Sequence, residues 1–144
     1  MGSSQIVNKP IEKETLLNVS IPWKVRASMV ISEKRVNEQI IIEKFVGTFD
    51  QNARQDFKWR IDVAVNDGLR FVIINMTEVS FIDSAALGWL VLSQRRFQRI
   101  GGKMCIVAGQ GFVRDILELT EISEWIPIFL KEEDAISSIN TVSV

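Results

Sequence analysis

Apolar positions along the chain recur with two different periods, and the switches between them mark the elements. Ala27 to Lys34 alternates partly between apolar and polar residues and predicts a strand; Gln39 to Val46 is dense in Ile and Val and predicts a second. The polar stretch Glu33 to Glu38, centred on Val36-Asn37, turns the chain between them. A connection that short pairs its strands antiparallel. Gly47-Thr48-Phe49-Asp50 ends the hairpin. From Asn52 to Asn66 the period changes: Ala53, Phe57, Ile61 and Ala64 fall on one face of a helix, which Asp67-Gly68 stops. Phe71 to Ile74 is an unbroken apolar run, as expected of a strand covered on both faces. It is predicted to run into a loop over Thr77 to Asp83. Met104 to Ala108 repeats the apolar run after Gly102, and Ile126 to Leu130 predicts a weaker last strand. Helices are predicted over Ser84 to Ile100, Phe112 to Leu119 and Glu132 to Asn140.

The order is a hairpin followed by alternating helices and strands. Such alternation requires right-handed parallel crossovers, so the fold class is α/β. The sheet is mixed, with an N-terminal antiparallel hairpin, then parallel strands, and helices packed on it. Residues 1 to about 24 show no clear period. Ile11, Leu16, Leu17, Val19 and Ile21 fit either a short helix or an extended arm, interrupted at Pro22. Residues 1–26 are read as an N-terminal extension ahead of a domain over 27–144. The polar start Met1-Gly-Ser-Ser is of the kind left by a cloning tag. There is no internal repeat.

Composition mainly removes possibilities. A chain of 144 residues with 47% hydrophobic and 24% charged residues has the balance of one globular domain. The net charge of −1 does not favour nucleic acid, whose binders concentrate positive charge. The one basic cluster, Arg95, Arg96 and Arg99, reads as a solvated helix face. No apolar run approaches the ~20 residues that span a bilayer, and no secretory signal is visible, so membrane insertion is not expected and a cytoplasmic location is. The single Cys105 allows no internal disulfide. The absence of histidine excludes a Ser-His-Asp triad, a Cys-His pair and any His-ligated metal. No phosphate-binding loop and no Gly-x-Gly-x-x-Gly is present. The expectation is a binding protein without cofactor or metal, not an enzyme.

Chemistry concentrates where the buried strand feeds the helix that starts at Ser84. Ligand sites in open α/β sheets gather at the carboxyl ends of parallel strands. The first turn of a helix has unpaired N–H groups and a partial positive charge, so a phosphate on Ser84 would be tolerated there. It would add ~1.5 to 2 negative charges beside Asp83. Ser and Asp are equally the residues that cap helices, and capping by either is the plainer alternative. At 100° per residue, Ala86, Leu87, Leu90, Val91, Phe97 and Ile100 form the core arc, with Gln94 the polar exception. The other side carries Ala85, Gly88, Trp89, Leu92, Arg95, Arg96 and Arg99. Trp89 and Leu92, one turn from Ser84 beside small Ala85 and Gly88, read either as a docking patch or, for Trp89, as a surface covered by the N-terminal arm.

The stretch Asn75 to Gly88, and within it Ile82-Asp83-Ser84-Ala85-Ala86-Leu87-Gly88, resembles the signature of STAS domains, in particular bacterial anti-sigma-factor antagonists. Gly47-Thr48-Phe49-Asp50 and Gly101-Gly102-Lys103 match two supporting elements of that family. The likeness extends over about Ala27 to Asn140; it departs at Ala86, where the family has glycine. The resemblance implies a single STAS-like domain with Ser84 as phosphoacceptor. It implies a partner-facing surface of Asp50, Asp83 and the start of the Ser84 helix, to which the helix-face reading adds Ala85, Gly88, Trp89 and Leu92. The implied partners are an anti-sigma factor that is itself a GHKL-type serine kinase, bound while Ser84 is unmodified, and a PP2C-type phosphatase that resets the switch. The competing readings are an unphosphorylated STAS scaffold or transporter-associated module, and a small α/β enzyme or phospho-aspartate receiver. A receiver needs an early acidic pair, which Glu43 and Asp50 do not make convincingly.

Overall fold

The computed structural model describes residues 29–143, with side chains through residue 140; the predicted extension over 1–26 lies outside the described residues. Five strands and four helices follow in order: β1 (Met29–Arg35), β2 (Ile40–Phe49), α1 (Arg54–Asn66), β3 (Phe71–Ile82), α2 (Ser84–Arg99), β4 (Lys103–Val107), α3 (Phe112–Leu119), β5 (Ile128–Phe129) and α4 (Glu132–Ser143). The strands lie in one sheet in sequence order. β1 and β2 pair antiparallel, and every other pairing is parallel. The predicted α/β class and mixed sheet are thus what the chain forms. Asn37 closes the hairpin, its Oδ1 accepting from the amides of Gln39 and Ile40 at 2.7 and 2.9 Å.

Two cores flank the sheet. On one face Phe57, Ile61 and Ala64 of α1, Leu90 and Phe97 of α2, and Leu117 of α3 bury Phe45, Phe49, Val72, Ile74, Met104 and Ile106. On the other, Ala135 and Ile139 of α4 cover Ile40, Ile42, Ile73 and Val107. The central strands are apolar on both faces because both are covered, which is why Phe71 to Ile74 shows no alternation.

The predicted loop over Thr77 to Asp83 is instead strand as far as Ile82. β2 is longer than its apolar run, and its pairing with β3 continues to Phe49 opposite Ile82. Register shifts between Lys44 and Val46 and between Gly47 and Thr48 break the two-residue alternation. Val79 and Ile82 therefore return to the core while Thr77, Glu78, Ser80 and Phe81 face outward. An irregular inside–outside pattern reads as loop when only periodicity is available. The predicted last strand, Ile126 to Leu130, shortens to Ile128–Phe129, because Pro127 follows a core residue, Ile126, that packs rather than pairs. On α2, Ile100 was expected in the core; it lies just past the last helical residue and is exposed.

Candidate functional site

Asp83, and not Ser84, caps α2. Its backbone is extended (φ −108°, ψ 177°), and its Oδ1 accepts from the amide of Ala86 at 2.9 Å. Its Oδ2 accepts from the amide of Gln51 at 3.1 Å. The Asp83 amide in turn donates to the Phe49 carbonyl at 3.2 Å. One side chain thus stitches the β3–α2 corner to the β2–α1 corner. Asp50 repeats the device beside it, capping the short 3-10 turn Gln51–Ala53 by accepting from Asn52 at 2.9 Å. Asp50, distant in sequence, thus meets the adjacent pair Asp83 and Ser84 at the carboxyl end of the parallel strands, where open α/β sheets place their sites.

Ser84 is the first residue of α2 and is exposed, as are Ala85 and Gly88. With the cap held by Asp83, the serine hydroxyl is not required for it. Ala86 is fully buried, so at the family's glycine position this chain turns a methyl into the core. The Cβ that Gly88 lacks would meet no neighbour within 4 Å, so the surface beyond Ser84 is open. Leu92 stands 63% exposed two turns on.

Trp89 differs from its expected outward position. Its ring stacks on Phe57 of α1 (centroids 6.2 Å apart, planes at 23°) and approaches Phe49 at 5.9 Å. Its helical neighbours at i−3 and i+4, Ala86 and Ser93, are both buried, so position 89 flanks the covered face of α2 and the indole reaches the aromatic cluster across the α1–α2 seam. The residue is partly buried. Arg96, expected to be solvated, pairs with Asp62 of α1. Arg95 lies over the exposed Trp125 ring at 5.9 Å.

Two surface features towards the end of β3 escaped the sequence reading. Phe81 is 43% exposed, on the last outward position of β3. A shallow cleft of about 220 Å³ opens between the end of β3 and the β4–α3 turn, lined by Thr77, Ser80, Gln110 and Phe112 among others. The signal for the turn was Gly109-Gln110-Gly111, whose second glycine takes φ 145°. No Asp, Glu, Lys, Arg or Cys lines the cleft. Glu43 and Asp50, weighed as an acidic pair, do not share a site: Glu43 is buried mid-strand in β2 and Asp50 lies on the turn past its end. Among the described residues no cluster of three potential metal ligands occurs, and no helix is long and apolar enough to cross a membrane.

Because Asp83 carries two bonds, Asp83→Ala is expected to lower stability by about 1–2 kcal/mol, as loss of a helix cap does. Asp83→Asn keeps an acceptor and should retain most of it. Urea titrations of the two variants check this, and equal losses would contradict the capping role.

A family model described as the STAS domain matches residues 32–135. The chain is 21% identical over 108 residues to the anti-sigma F factor antagonist of Lysinibacillus sphaericus, covering 74% of this chain and 92% of that protein. Its fold is similar to that of an anti-sigma factor antagonist from Mycobacterium paratuberculosis (TM-score 0.71, 18% identity, 81% of this chain and 97% of that one). It is also similar to the Bacillus cell fate determinant SpoIIAA in its phosphorylated form (TM-score 0.60, 20% identity, 76% of this chain and 99% of that one). With the domain model spanning most of the chain and the Asp83-Ser84 corner built as described, the protein belongs to the STAS domain family.

Proposed function

We propose that this chain is an anti-sigma-factor antagonist switched by phosphorylation of Ser84. Unmodified, it binds an anti-sigma factor that is a GHKL-type serine kinase, through Asp50, Asp83, Ser84, Ala85, Gly88, Leu92 and the partly buried Trp89. Phosphorylated, it is released, and a PP2C-type phosphatase returns it to the binding form. The supporting observation is the division of labour at the corner: Asp83 holds the helix cap while Ser84 stands exposed on the first turn. A phosphate can then be added without dismantling the cap, and the unpaired N–H groups of the turn accommodate it. The names of the relatives, and the existence of one in a phosphorylated form, agree with this reading.

The physics of release is charge placed on a matched surface. A phosphoserine adds ~1.5 to 2 negative charges next to Asp83. Like charges brought together in an interface cost several kcal/mol. The test is the cognate kinase with ATP: phosphate is expected on Ser84 by mass spectrometry. Ser84→Ala should bind the kinase without release, and Ser84→Asp should bind at least about 100-fold more weakly than unmodified protein. Equal affinity of Ser84→Asp and wild type would rule out release by charge.

A further inference from the structure

Glu43 lies in the middle of β2 with its carboxyl on the face covered by α1 and α2. It is 1% exposed, and its Oε1 meets no hydrogen-bond donor. Its ladder neighbours are apolar Ile74 on β3 and a second carboxylate, Glu33, directly opposite on β1. Like charges facing across a ladder destabilise it. From α1, Arg60 reaches between them without bonding Glu43: Nη1 donates to Glu33 Oε1 at 2.8 Å and Nη2 donates to the Ile31 carbonyl at 3.2 Å. Both acceptors belong to β1, so Arg60 clasps the edge strand to α1. The other charges nearby are already taken. Asp62 on α1 is held by Arg96 of α2 and by Lys58, and Lys44 pairs with Glu78 on the opposite face of the sheet.

We propose that Glu43, Glu33 and Arg60 form a proton-operated latch that sets how firmly the edge strand β1 is held against α1. While Glu43 is protonated, one guanidinium serves one carboxylate and β1 stays clasped. When Glu43 gives up its proton, two carboxylates compete across the ladder for the same guanidinium, and one of them faces the core. Opening of β1 lets water reach the ionised group. The direction of the response follows from the surroundings of Glu43. Burial raises its carboxyl most, Arg60 draws it down less and Glu33 adds to the rise, so that together they hold it at about 7 instead of the ordinary 4.5. The closed strand therefore holds a proton that the opened one releases, and closure weakens as pH climbs from about 4.5 to about 7.

The test is hydrogen exchange of the full chain, corrected for the intrinsic pH dependence of amide exchange. Between about pH 6 and about pH 8 the opening constant of the β1 amides, Met29–Arg35, is expected to rise about tenfold. The β1 amides should exchange through openings more frequent than those of β4. Glu43→Gln should flatten the β1 response, and Glu33→Gln, which frees Arg60 for Glu43, should move it to lower pH. The latch is overturned if wild type and Glu43→Gln share one pH profile. It is also overturned if β1 and β4 exchange with equal protection throughout, since Glu43 would then titrate only with global unfolding, or if Glu33→Gln leaves the response where it was.

Discussion

Gly102→Ala is expected to abolish folding or to lower stability by more than about 3 kcal/mol, beyond the usual range for adding a methyl to a packed site. The Cβ would stand 1.7 Å from the Arg70 carbonyl oxygen, 2.5 Å from its carbon and 3.0 Å from its Cα. These are backbone atoms at the start of β3, and they cannot swing aside as a side-chain tip can. Gly102 is also pinned from behind, its amide donating to the Phe97 carbonyl at 2.8 Å, while Lys103 N donates to that same Arg70 oxygen at 2.9 Å. Relief would require separating β4 from β3 where their pairing begins.

Two other glycine substitutions calibrate the result. Gly101→Ala meets only the Arg70 guanidinium, at 2.9 Å, and suffers chiefly from φ +81°, so a loss of about 1–2 kcal/mol is expected. Gly88→Ala meets nothing within 4 Å on an exposed helical position and should be neutral or stabilising by up to about 1 kcal/mol. Circular dichroism melts of the three variants give the ranking. A Gly102→Ala protein as stable as Gly88→Ala would mean that β3 and β4 do not approach as described.

Gln94→Leu is the second large effect, with an expected loss of about 3–5 kcal/mol. Gln94 is 3% exposed, and its amide is fully used. Oε1 accepts from Met104 N at 2.8 Å, and Nε2 donates to the carbonyls of Met104 and Trp125 at 3.0 Å each. The need arises from the shortness of β5, which pairs only with Ile106 and Val107. Along that edge of β4 the amides of Ile106 and Ala108 donate to Pro127 and Phe129. Met104, two residues earlier on the same edge, has no strand opposite it, and the carboxamide takes the strand's place.

Leucine matches glutamine in size but leaves the buried Met104 amide and carbonyl unpaired, at about 1–3 kcal/mol each when fully orphaned, and also frees the part-buried Trp125 carbonyl. Gln94→Glu keeps the acceptor and loses the donor, so it should be damaging as well. Urea denaturation measures both. A loss under about 1 kcal/mol for Gln94→Leu would show that other donors or acceptors reach Met104.

The legibility of the site follows from which interactions are local. The Asp83-Ser84 corner could be found in the sequence because helix caps depend on the chemistry of adjacent residues, and because a recurrent motif surrounds it. The choice between the two as cap could not, since both residue types serve. It was decided by Gln51, whose amide arrives from the β2–α1 corner to take the second oxygen of Asp83. Trp89 was misplaced for a related reason: helical angle locates a Cα, whereas the ring finds its neighbours on another helix.

The sequence by itself determined the order of elements, the α/β class, the antiparallel opening of the sheet, the apolar faces of two helices, the covering of β3 on both sides and the position of Ser84 at a helix start. These rest on hydrophobic period and turn chemistry, which act over a few residues. Only the tertiary structure decided how far β3 extends, why Gly102 admits no methyl, what Gln94 is for and that Glu43 is sealed opposite Glu33 under Arg60. Each of those depends on which backbone or charge a distant segment brings alongside, and no local pattern carries that information.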